Sequence, residues 1–66
     1  MKNAELRSLT LDELKRRLVA EKEGLVKLRF AHAISPIENP MKIGEARRLI
    51  ARIKTLILEK EKESQN

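Results

Sequence analysis

The sequence has no cysteine, tryptophan or tyrosine, and its 66 residues include one phenylalanine, Phe30, and one histidine, His32. Without cysteine there can be no disulfide framework and no thiolate metal site, and a lone histidine cannot complete a zinc set; no metal or other cofactor is expected. A single phenylalanine provides no row of aromatic platforms for stacking bases, so any nucleic acid would be gripped by its backbone and shape. No apolar run approaches the ~20 residues that a membrane span requires. The first fourteen residues carry an acid at Glu5 and no apolar core, unlike a signal peptide, and are not acid-poor like a transit peptide. The chain is expected to stay in the compartment where it is made. A chain this short removes only about 60% of its unfolded surface from water on folding. That leaves no room for a deep enclosed pocket, and a self-contained enzyme is not expected.

What the chain does have is charge. Fifteen Lys and Arg against ten Asp and Glu give a formal charge of +5, a balance that suits a polyanionic partner.

The two prolines fall together in Ser35-Pro36-Ile37-Glu38-Asn39-Pro40 and divide the sequence into two nearly equal arms. The first arm opens on Thr10-Leu11-Asp12-Glu13, the pattern of a capping box, with Leu9 and Leu14 placed for a hydrophobic staple. The second opens on Asn39-Pro40, an N-cap residue followed by proline at the first helical position, where its missing N–H costs nothing. Apolar residues then recur by threes and fours: Leu11, Leu14, Leu18, Leu25 and Leu28, and in the second arm Ile43, Ala46, Ile50, Ile53 and Ile57. This is the a/d spacing of a coiled-coil seam. The expected fold is all-α, an antiparallel two-helix coiled-coil hairpin in one domain spanning residues 1–66. Its helices cover about 10–34 and about 40–62, joined by a loop at about 35–39. Arms of that length reach roughly 35 Å at 1.5 Å per residue. A short helical turn from Lys2 to Ser8 is expected to fold back through Leu6. The polar tail from Glu59 to Asn66, whose acids oppose the helix dipole, is expected to fray.

Two faces remain outside the seam. Projection of the second arm at 100° per residue puts Gly44, Arg48, Ala51 and Thr55 on one line opposite the isoleucines, with Arg47 and Lys54 on one side and Arg52 on the other. Small residues between arginines let a backbone approach a polyanion while the guanidinium forks reach its phosphates. The plain alternative is a solvated face with ordinary charges. In the first arm a second apolar line runs through Val19, Val26, Phe30 and Ala33, which a two-helix hairpin cannot bury together with the leucine seam. The N-terminal turn could cover the Val19 end, whereas Val26 and Phe30 lie beyond its reach and read as a protein-docking surface. His32 falls near the seam at the loop end of the first helix, a structural position. Gly24 in mid-helix costs up to about 1 kcal/mol relative to alanine.

Three blocks of the sequence together resemble a known family: Ala4-Glu5-Leu6-Arg7 followed by Thr10-x-x-Glu13-Leu14; Leu28-Arg29-Phe30; and Glu38-Asn39-Pro40 leading to Ile43 and Arg47-Arg48-x-Ile50-Ala51-Arg52-Ile53-Lys54-Thr55. They resemble the bacterial-type large-subunit ribosomal protein numbered twenty-nine. Gly44 departs from the family pattern, in which a basic residue is frequent there, and so does Gly24, where a larger residue is common. The resemblance implies a helical hairpin without catalytic activity. It would bind large-subunit ribosomal RNA near the exit of the nascent-peptide tunnel, in the cytoplasm, beside the ribosomal protein numbered twenty-three and where chaperones and targeting factors dock. Carried onto this sequence, the RNA-facing residues would be Arg29, Arg47, Arg48, Arg52 and Thr55, to which the projection adds Lys54. Two other readings compete on the residues alone. One is a protein-interaction hairpin without RNA binding, which Glu21 at a core-spaced position disfavours. The other is a membrane-surface helix at residues 49–58, disfavoured because the first arm already covers the same apolar face.

Overall fold

The computed structural model describes residues 3–35 and 40–64 and contains three helices, α1 (Asn3–Arg7), α2 (Leu11–Ile34) and α3 (Met41–Ser64). Helix α2 starts where its capping box places it. Thr10 is extended (φ −73°, ψ 167°), and its Oγ1 accepts from the Glu13 amide at 3.2 Å. The Glu13 carboxylate in turn accepts from the Thr10 amide at 3.4 Å and from its hydroxyl at 2.9 Å. The helix closes at Ser35, whose amide donates to the Ala31 carbonyl at 3.0 Å. At the head of α3 the Ile43 amide donates to the Pro40 carbonyl at 3.1 Å, so proline stands just before the first helical residue. Asn39, the expected N-cap, lies outside the described residues, as does most of the expected loop.

The two long helices pack against each other antiparallel, and the seam follows a heptad repeat. In α2, Leu11, Leu18, Leu25 and His32 take a positions, and Leu14, Glu21 and Leu28 take d. In α3, Ile43, Ile50 and Ile57 are at a, with Ala46, Ile53 and Lys60 at d. All thirteen are buried or half-buried. Glu21 is tolerated there because Arg17, one turn earlier, brings its Nε to 3.2 Å from the Glu21 carboxylate.

Helix α1 lies against α3 and completes the core: Leu6 is fully buried in one cluster with Leu14, Ile53 and Ile57. Leu9, the staple residue, packs against this cluster, as do Leu49 and Leu56. Those two α3 leucines are seven residues apart beside the isoleucine seam, and Leu56 lines a groove with Arg7 of α1. The N-terminal turn therefore folds back as expected but onto the side of α3, and it does not cover Val19, which remains 56% exposed. A second departure is at the far end. Rather than fraying from Glu59, α3 runs on to Ser64, with Lys60 and Glu61 half-buried and Glu61 paired with Lys15.

The molecule measures 48 × 18 × 14 Å. A slab that thin has outer surfaces and shallow grooves only, so its function is to be sought on its faces.

Candidate nucleic-acid interface

Helix α3 carries the strongest cationic face. Arg47, Arg48, Arg52 and Lys54 are all exposed, and none has an ion-pair partner among the described residues. The four charges lie within two turns, where repulsion and desolvation are kept low by full hydration until an anion arrives. The helix holds them outward because its opposite side is fixed by the buried Ile50, Ile53 and Ile57.

Gly44 and Arg48 are coupled. A Cβ added at Gly44 would stand 3.4 Å from Arg48 Nη1, so the guanidinium folds back along the helix over the glycine. Side chains on a helix lean toward its N-terminus, and the missing side chain at 44 lets Arg48 lie flat there. The charge of Arg48 thereby covers the patch of surface beside Gly44.

Thr55 behaves differently from the cations. Its hydroxyl donates to the Ala51 carbonyl at 3.0 Å, which commits the one proton it has. Phosphate oxygens only accept, so in this conformation Thr55 can receive a hydrogen bond from a ribose hydroxyl but cannot donate one to phosphate.

Arg7 is a contributor that the projection of α3 alone could not reveal. It lines a shallow groove between α1 and α3 together with Ala51, Arg52, Thr55, Leu56 and Glu59. The signal for it in the sequence was the Leu49/Leu56 pair, which fixes where α1 must sit and hence where the neighbour of Leu6 emerges. A second depression along α3 brings Lys42 beside Arg48 and Arg52.

Across the hairpin, Arg29 is exposed on α2. Val26 and Phe30 are 66% and 68% exposed, and Ile34 at the loop end is 69% exposed, so the second apolar line of α2 is uncovered along its length. His32 is half-buried in the seam, in keeping with a structural role. No group of three or more potential metal ligands occurs among the described residues, and none of their helices is long and apolar enough to cross a membrane.

A thin, basic, antiparallel helical hairpin with arginines on its outer ridge is the class that fold and surface define. The family model for the ribosomal L29 protein matches residues 4–60. A large ribosomal subunit protein uL29 of Cytophaga hutchinsonii is 60% identical over 62 residues, covering 94% of this chain and all of that protein. The corresponding protein of Amoebophilus asiaticus is 58% identical over 57 residues, covering 86% of this chain and 92% of that one. That of Nitratidesulfovibrio vulgaris is 54% identical over 61 residues, covering 92% and 100%. The chain belongs to the ribosomal L29 family. It is accordingly a structural constituent of the large ribosomal subunit, with its place on the ribosome in the cytoplasm, and not an enzyme.

Proposed function

We propose that this chain binds large-subunit ribosomal RNA near the exit of the nascent-peptide tunnel and fixes the local geometry of that RNA. The observation that carries the reading is the set of cations around the solvent side of α3, with Arg48 and Arg52 toward the outer line and Arg47 and Lys54 beside the seam, all exposed and without ion-pair partners among the described residues. Such a set is suited to phosphates, which it would neutralise with release of condensed cations. Arg29 extends the contact from α2, and Thr55 accepts from a 2′-hydroxyl, a group that distinguishes RNA from DNA.

The exposed Val26 and Phe30 fit a different partner. Their apolar surface, uncovered in the hairpin itself, suits a neighbouring protein of the particle, the ribosomal protein numbered twenty-three. The same neighbourhood would place the chain beside chaperones and targeting factors that visit the tunnel exit. Ultraviolet crosslinking in intact cells, followed by sequencing of the attached RNA and identification of the attached proteins, tests both halves. Crosslinks from α3 to large-subunit RNA and from residues near Phe30 to protein are expected. A hairpin recovered only as a self-associated oligomer, without RNA, would support the protein-interaction alternative instead.

A further inference from the structure

The ion pair between Lys15 and Glu61, 3.5 Å apart, fixes the register of the two long helices on one face of the hairpin. Both residues occupy e positions of the heptad defined by the seam, and in an antiparallel pair the two e rows lie on the same broad face. The face that carries α1 is the other one, on the side of Leu49 and Leu56. Stepping one heptad along each helix from Lys15 and Glu61 brings Lys22 opposite Lys54, and a second step brings Arg29 opposite Arg47. Each step is about 10.5 Å along the axis. The first rung across the seam is thus a salt bridge, whereas the next two set cation against cation.

All four of these cations are exposed and lack an ion-pair partner among the described residues. The positions beside them are also unlike an ordinary solvated face. On α2 the two rungs are bordered by Val19, Val26 and Ala33, and on α3 by Gly44, Ala51 and Leu58. None of the six is acidic; the nearest acids on α2 are Glu21, which is paired with Arg17, and Glu23, which shares a depression with Lys22 and Lys27. Flanking charges of a helix pair normally choose its partner and orientation by attraction. Here two successive rungs set like charges across the seam, an arrangement that contributes no attraction to closure of the hairpin and suits an anion from outside.

We propose that Lys22, Arg29, Arg47 and Lys54 form a two-rung clamp that holds a run of RNA phosphates across the broad face of the hairpin opposite α1. The clamp rests on the reading above and deepens it: it adds Lys22 to Arg29, Arg47 and Lys54 and joins them into one site that no single helix could supply, with Val26 at the edge where the apolar docking strip begins. Because each rung needs both helices closed, binding and closure reinforce each other: the polyanion removes the repulsion that the free hairpin carries, and the RNA raises the stability of the fold.

Lys22→Glu tests the clamp, with Lys27→Glu, rotated about 140° around the same helix and away from the seam, as a control of equal charge change. The full chain is titrated with a large-subunit ribosomal RNA transcript at several salt concentrations, and thermal melts are recorded without RNA. Lys22→Glu converts the second rung into a copy of the Lys15–Glu61 pair. It should therefore raise the melting temperature of the free protein by about two degrees, the scale of one exposed pair, while weakening RNA binding about tenfold more than Lys27→Glu does and lowering the log-log salt slope by about one unit. A melting temperature unchanged or lowered would show that the rungs do not face each other. RNA binding weakened no more than by Lys27→Glu, with Arg48→Glu still damaging, would overturn the clamp and leave the α3 ridge in place. If Arg48→Glu and Lys22→Glu both leave binding untouched, the RNA reading itself falls, and the clamp with it.

Discussion

Lys15 Nζ lies 3.5 Å from Glu61 Oε1, joining the first turns of α2 to the last turns of α3. Both side chains are substantially exposed, so the pair adds well under about 1 kcal/mol to global stability. Its effect is expected to be local, on the polar end of α3, which runs to Ser64. Lys15→Ala should leave the melting temperature within about two degrees of the original and increase amide exchange only in the last two turns of α3. Exchange rates unchanged in that segment would mean that Glu61 and Lys60 are held by something other than Lys15.

The core depends on α1 more than its five residues suggest. Leu6 is fully buried among Leu14, Ile53 and Ile57, and truncating a buried leucine costs about 2–5 kcal/mol. In a hairpin whose described residues include few buried side chains, a loss of that size should unfold much of the free protein at 37 °C. Leu58→Ala, at an exposed site on the same helix that receives Leu6, should stay within about 0.5 kcal/mol of the original. Denaturant titrations followed by circular dichroism distinguish the two; equal destabilisation by both would contradict the assignment of α1 to the core.

Much of this architecture is legible in the residues because local rules and the global fold agree. Thr10 and Glu13 announce the start of α2, and the leucine and isoleucine spacing defines the seam, whose leucines and isoleucines are all buried or half-buried. The missed features depend on long-range placement. Leu49 and Leu56 read as incidental apolar residues until α1 rests on them, and only then does Arg7 join the groove with Arg52. Beyond Glu59, α3 meets a partner 46 residues away in sequence, Lys15 against Glu61, a contact that dipole arguments within the helix cannot supply. The outward direction of Arg48 was readable from periodicity; its fold-back over Gly44 was not, since it arises from a side-chain conformation rather than a spacing.

Phe30 tests the docking surface. At 68% exposure it contributes little to the hairpin, so Phe30→Glu should leave helicity and melting temperature nearly unchanged while reducing incorporation into the large subunit. Quantitative mass spectrometry of purified subunits measures the second, circular dichroism the first. Comparable losses in both would assign Phe30 to the stability of the chain itself.

Thr55 offers a separate check on how the ridge meets RNA. If its oxygen accepts from a ribose hydroxyl, Thr55→Val should weaken binding to ribosomal RNA less than about tenfold, the scale of one neutral hydrogen bond. The salt dependence should be unaffected, because no phosphate contact is lost. A reduced salt slope would contradict this role.

The most direct test of the account is the salt dependence of RNA binding by Arg48→Ala compared with the unaltered protein and with Lys27→Ala. Arg48 is exposed opposite the seam, so helicity should be the same in all three. The account predicts that Arg48→Ala lowers affinity for the large-subunit RNA transcript and reduces the slope of log affinity against log salt by about 0.9, with Lys27→Ala close to the original. An Arg48→Ala variant whose affinity and slope match those of Lys27→Ala would contradict it.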